Sequence, residues 1–237
     1  MSPETTWPVL SIIERRILGV LVEKAKTTPD VYPLSINSIV TGGNQKSNRD
    51  PLLSLTDLEV EDALPALQQK GLVTRITGGR VDRWRHNLYD VWKVSKVELA
   101  VITELLLRGA QTEGELRGRA SRMEPIDDLD TLRGVLKPLA EHGLIVYLGP
   151  EGRRGTQLTH GFHTPKELEY LKANVRPEEP ESMGAVHRPA PQSVHLETSL
   201  AEAREEIVAL RTEVNGLRET LQTLQEQVAK LKEALGA

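Results

Sequence analysis

The chain has 237 residues, a formal net charge of −4, 38% hydrophobic residues and 3% aromatics, which predicts a globular core of Leu, Val, Ile and Ala and favours helical packing over a large sandwich. With no cysteine, disulfides, zinc–cysteine sites and thiol catalysis are excluded, and no apolar run reaches the roughly 18 residues of a membrane span. No basic segment leads into an apolar one at the start, so a cytoplasmic location is expected, and the balance of charge gives no general argument for nucleic acid.

The first element opens at Ser11-Ile12-Ile13-Glu14, a capping box in which the Ser hydroxyl takes an orphan amide and the Glu reaches back. Ile13, Ile17, Leu18, Leu21 and Val22 continue it as a helix. A stretch rich in Pro, Asn, Ser and Gly follows, interrupted by a short middle helix over Ser35–Val40. Thr56 and Glu59 form a second capping box and start a third helix. That helix carries Leu64 and Leu67 and ends at Gly71, suited to a left-handed C-cap. A hairpin then runs Val73–Ile76, Gly78-Gly79 and Arg83–His86.

The same order recurs. Ser95 and Glu98 box the start of a helix carrying Leu99, Val101, Ile102, Leu105 and Leu106, and Thr112 and Glu115 start a middle helix over Glu113–Arg122. Leu136, Leu139, Gly143 and Leu144 repeat the pattern of Leu64, Leu67, Gly71 and Leu72. A second hairpin joins Leu144–Leu148 to Thr156–Thr159, and Pro165–Leu171 suits a short closing helix. Helix, short helix, helix and a two-stranded wing describe a winged helix-turn-helix, so residues 9–90 and 91–172 are read as two tandem domains of this kind, mainly α with α+β character.

Prolines 177, 180, 189 and 191 mark residues 173–195 as a flexible linker. Beyond it, residues 196–236 carry a heptad repeat with Leu200, Ile207, Val214, Leu221 and Val228 in one series and Leu210, Leu217, Leu224 and Leu231 in the other. A sustained 3.5-residue period specifies a left-handed coiled coil. Parallel pairing sets Glu206 against Arg211 and Glu213 against Arg218, whereas antiparallel pairing sets Arg against Arg. These apolar residues are the expected interface of a parallel homodimer.

The stretches Ile17–Lys24, Thr27–Asn37, Asn44–Pro51 (NQKSNRDP) and Leu105–Met123 (LLLRGAQTEGELRGRASRM) resemble the YceH family of bacterial proteins over roughly residues 9–160. The resemblance implies tandem winged helices with a C-terminal coil; it implies no particular activity.

Signals of catalysis are weak. His160 and His163 are close in sequence but lack further ligands nearby, so they are expected to be exposed or capping residues, with no metal and no cofactor. Basic clusters point elsewhere: Lys46 and Arg49 in the NQKSNR loop, Arg83 and Arg85 in the first wing, Arg117, Arg119 and Arg122 on the second middle helix, and Arg153 and Arg154 in the second wing. Arginine forks suit phosphate. The third helices begin acidic, with Asp57, Glu59, Glu61 and Asp62 in one copy and Asp127, Asp128 and Asp130 in the other, which opposes insertion of their N-termini into a groove. The expected function is a non-enzymatic dimer that contacts the backbone of double-stranded DNA through wings, loop and middle helix. The alternative is a scaffold that docks a protein partner.

Overall fold

A computed structural model describes residues 7–153 and 155–174. In chain order it contains α1 (Ile12–Thr27), α2 (Ile36–Gly43), α3 (Asp57–Gln69), a hairpin of β1 (Val73–Ile76) and β2 (Arg83–His86), and the short α4 (Leu88–Trp92). It continues with α5 (Lys96–Arg108), β3 (Gln111–Thr112), α6 (Glu113–Ala120), α7 (Leu129–Glu141), β4 (Ile145–Tyr147), β5 (Gln157–His160) and α8 (Pro165–Asn174). The described residues are mainly helical with two small antiparallel sheets, an arrangement consistent with an α+β winged helix.

All four expected capping boxes form, at Ser11–Glu14, Thr56–Glu59, Ser95–Glu98 and Thr112–Glu115. Each satisfies two orphan amides within four residues, which fixes where its helix begins. The caps at the far ends of α3 and α7 are also as expected: Gly71 and Gly143 have φ of 73° and 68°. Those left-handed turns let Leu72 N donate to Leu67 O at 3.0 Å and Leu144 N to Leu139 O at 2.9 Å.

The sheets share an order that the sequence reading did not foresee. In the second, β3 precedes the middle helix and pairs with β5, which pairs with β4. In the first, Leu34 precedes α2 and bridges Trp84 on β2, with backbone bonds of 3.1 and 2.7 Å. The segment ahead of each middle helix thus lines the returning strand of its hairpin. The helix α4 was also unforeseen. Its Trp92 stacks on Phe162 at 4.8 Å between ring centres.

α1 and α5, the first helices of the two repeats, pack on each other. Both are buried almost all round at mid-length, over Glu14–Val22 and Leu99–Leu107, as suits helices central to a core. Gly19 permits the approach, since a Cβ there would lie 2.7 Å from Leu107 Cδ2. α2 runs on to Gly43, past the expected end at Val40, because Gly42 lets it lie against α1; a Cβ at Gly42 would lie 2.7 Å from Val20 Cγ1. α6 stops at Ala120, two residues short of expectation, where Ser121 O–H and the following turn close it.

The described residues fall in one compact unit. Among them no helix is long and apolar enough to cross a membrane. The linker expected over residues 173–195, beyond Asn174, and the coil with Leu200, Ile207, Leu210, Val214, Leu217, Leu221, Leu224, Val228 and Leu231 lie outside the described residues.

Candidate nucleic-acid interface

The loop at 44–49 is built by side chains that answer its own backbone. Asn44 Nδ2 donates to Leu55 O at 2.8 Å and Asn44 Oδ1 accepts from Leu55 N at 2.7 Å, so a side-chain amide closes the loop as a strand pair would. Arg16 holds both flanks, donating to Gly43 O at 2.8 Å and to Pro51 O at 2.6 Å. Inside the loop, Asn48 takes the left-handed conformation (φ 63°). Its Oδ1 accepts from Arg122 at 3.0 Å and also from Arg108. Asp50 N donates to Leu107 O at 3.0 Å. The loop of the first repeat therefore lies against α5 and the end of α6 in the second.

This seam is dense in charge, and most of it is internally matched. Arg49, expected as a phosphate donor, is not available as one: its side chain is buried. It donates to Gly42 O at 3.0 Å, Asn48 O at 2.8 Å, Gln45 Oε1 at 3.0 Å and both oxygens of Glu23, the shorter at 2.6 Å. Arg119 is engaged with Gln111 Oε1 at 2.7 Å and Glu115 at 3.2 Å. Arg117 ties the turn after α6 by donating to Asp127 O at 3.0 Å. Arg108 lies 2.9 Å from Glu104 in an ion pair whose alignment leaves neither facing atom in a hydrogen bond. Burial raises the pKa of the Glu104 carboxyl against the pull of Arg108, and burial lowers that of Arg108 against the pull of Glu104. Lys26, at 2.9 Å from Glu124 and 5.9 Å from the centre of the Tyr89 ring, joins α4 to this region.

What remains outward on the seam is Lys46 and Arg122, both exposed. The expected wing residues sit apart from it. Arg83 and Arg85 are exposed on β2 on either side of the buried Trp84, as strand alternation requires. Arg83 donates to Pro33 O at 2.7 Å. Arg153 is exposed near the tip of the second wing, and Arg154 lies outside the described residues. Loop and middle helix are thus brought together. Among the described residues the wing arginines make no ion pair or hydrogen bond with them.

The acidic starts of the third helices have structural partners. Glu59 and Asp128 accept the amides of Thr56 and Thr131, which lowers the pKa of each. Beside them Leu58 and Leu129 stand 66% and 37% exposed.

The histidines correct the expectation of exposure. His160 is buried and its Nδ1 accepts from Phe162 N at 3.3 Å, a capping role inside the core. It stacks on His163 at 3.9 Å. His163 Nδ1 accepts from Arg15 at 2.7 Å, so its proton sits on Nε2 and is donated to Thr159 Oγ1 at 2.9 Å. Burial, then the charge of Arg15, pushes its pKa down to about 4. Arg15 also meets Glu167 at 2.7 Å. Burial opposes the charge of that carboxylate, but the Thr164 amide and Arg15 outweigh it and bring its pKa to about 2.

Sequence reasoning passed over Arg15 and Arg16, and it read Asn48 as a group facing nucleic acid, where the structure has it accepting from Arg108 and Arg122. For Arg16 a signal existed: Ile13, Arg16 and Val20 follow i, i+3, i+7 spacing, which places a cation on the apolar stripe of α1.

Residues 10–152 match the family described as "Protein of unknown function, DUF480". The chain belongs to this family. A UPF0502 protein of Rhodopirellula baltica is 47% identical over 174 residues, covering 73% of each chain. UPF0502 proteins of Citrifermentans bemidjiense and Mesorhizobium japonicum are 39% and 37% identical, over 86% and 88% of this chain and 95% and 96% of theirs. The match covers both of the long stretches, NQKSNRDP and LLLRGAQTEGELRGRASRM, that meet at the seam.

Proposed function

We propose that this DUF480 protein is a non-enzymatic DNA-binding protein of two tandem winged helices, dimerised by its C-terminal heptads as a parallel coil. It holds duplex DNA by the phosphate backbone, with the contact centred where the loop at 44–49 meets α6. The observation that carries the reading is the Asn48 side chain, which accepts from both Arg108 and Arg122 and so ties the loop that carries the exposed Lys46 to the helix end that carries the exposed Arg122. The recurring order of helices and sheet strands supports the winged-helix assignment. Backbone contact, rather than base reading, follows from the acidic starts of α3 and α7.

The test is fluorescence anisotropy of the full chain with duplexes of unrelated sequence at about 50 mM salt, with light scattering on the same sample to read the dimer. Binding is expected, with steep loss as salt rises. Changing Lys46 and Arg122 together to Ala weakens it equally for every sequence and lowers the salt slope by about 2, one phosphate for each cation. An unchanged slope in that variant sinks the placement, and no binding by the parent chain sinks the reading.

A second reading is favoured by one feature. Leu58 and Leu129 stand exposed among carboxylates at the start of the third helix of each repeat, a surface suited to a basic, partly apolar protein segment. Loss of DNA binding with the dimer intact selects it.

A further inference from the structure

α1, α5, α8 and the segment Asp50–Pro51 enclose a cleft of about 620 Å³, a size typical of small-molecule sites. Its walls are mainly hydrocarbon, from Ile12, Leu105, Leu106, Tyr170 and Leu171. The charges set into it do not cancel, because Arg15, Arg16 and Lys166 meet only Asp50 and Glu167. Arg15 is answered by Glu167. Lys166 is exposed at the rim and has no acidic partner among the described residues.

Arg16 has no carboxylate in contact. It is 2% exposed, and its terminal nitrogens meet only the carbonyl oxygens of Gly43 and Pro51. Its Nε is buried without a hydrogen-bond partner. A guanidinium withdrawn from water without a carboxylate in contact is costly. Burial, then repulsion from Arg49, brings its pKa down to about 10 despite the attraction of Asp50. A negative charge nearby relieves that cost.

We propose that this cleft binds a small monoanion with an apolar body, an alkyl or aryl carboxylate, with its hydrocarbon against Leu105, Leu106 and Leu171 and its head in the field of Arg16 and Lys166. The single excess positive charge suits one negative charge, and Asp50 and Glu167 repel a second. The scarcity of polar groups on the walls disfavours sugars and nucleotides. The cleft includes neither Lys46 nor Arg122, so the site stands independently of the DNA reading.

The experiment is isothermal titration of the full chain, without nucleic acid, using octanoate, octan-1-ol and acetate. Octanoate is expected to saturate at one per chain and to bind at least tenfold more tightly than the alcohol, with no measurable heat from acetate. Ile12→Glu, at a wall position 42% exposed, and Lys166→Gln are each expected to weaken octanoate at least fivefold while circular dichroism melting stays cooperative. Should Ile12→Glu not fold, Lys166→Gln alone decides. Absence of saturation at millimolar octanoate, equal affinity for the alcohol, or undiminished affinity in a folded variant overturns the assignment.

Discussion

Arg49 offers the sharpest separation between a residue that builds the seam and one that serves it. Its side chain is fully buried and Glu23 is 17% exposed, so Arg49→Met removes five donated hydrogen bonds and strands a nearly buried carboxylate. Breaking a buried pair from one side costs about 3–5 kcal/mol. The residual exposure of Glu23 places this case near the lower end, about 3 kcal/mol, which for a unit of this size lowers Tm by about 6–12 °C. Glu23→Leu together with Arg49→Met leaves neither charge behind. The remaining deficit is then the oxygens of Gly42, Asn48 and Gln45 that lose their donor; the half-buried Asn48 and Gln45 can turn to water, which leaves the buried Gly42 carbonyl at about 1–3 kcal/mol. Lys46→Ala, three residues away and exposed, changes stability by less than about 0.5 kcal/mol. Urea denaturation of the four chains reads all of this. If Arg49→Met lies within 1 kcal/mol of the parent but loses DNA, Arg49 faces a ligand and its buried network is not what holds the loop.

Two further outcomes follow from the packing. His86 and His163 have pKa values pushed from the usual 6.5 to about 4, and burial sends that of His160 well below 6.5; the unfolded chain therefore takes up protons first. Their stabilising contribution is complete above 6.5 and is lost as pH falls from there toward 4. His163→Asn should flatten that loss by up to about 1.4 kcal/mol per pH unit, and an unaltered slope in urea midpoints against pH refutes a buried neutral His163. Gly19→Ala gains about 1 kcal/mol of helix propensity, but its Cβ would lie 2.7 and 2.8 Å from Leu107 Cδ2 and Cγ, where overpacking costs about 1–3 kcal/mol. Net destabilisation is expected in the same denaturation assay, and it should disappear when Gly19→Ala is made in a Leu107→Ala chain and compared with that chain; a more stable Gly19→Ala chain contradicts a close approach of α1 to α5.

Much of the fold was legible because its signals are local. A capping box is four residues long, and all four that the spacing announced are made. Gly71 and Gly143 end α3 and α7 for a reason that concerns one φ angle each. What escaped depends on partners far along the chain. Leu34 joins a sheet only because Trp84, fifty residues later, returns beside it. Arg49 and Arg122 look alike as basic residues near polar neighbours, yet one is enclosed by Glu23 and the other is exposed. His160 and His163, unremarkable by spacing, stack on each other, and Arg15 of α1, far back in the chain, bonds His163.

The same long-range ties explain why the candidate sites lie where the two repeats meet. Asn48 reaches Arg108 and Arg122, Lys26 reaches Glu124, and Arg15 reaches His163 and Glu167, each crossing from the first repeat to the second. α1 and α5 start from equivalent capping boxes, but their polar residues fall at different heights: Arg15 and Arg16 on α1, Thr103 and Glu104 on α5. The divergence of the two repeats lets cations of one meet carboxylates of the other at the seam, while Arg16 is left among carbonyls beside the cleft. Arg16 touches the backbone on both flanks of the loop and also lines the cleft. One side chain therefore stands between the surface proposed for DNA and the cavity proposed for a carboxylate.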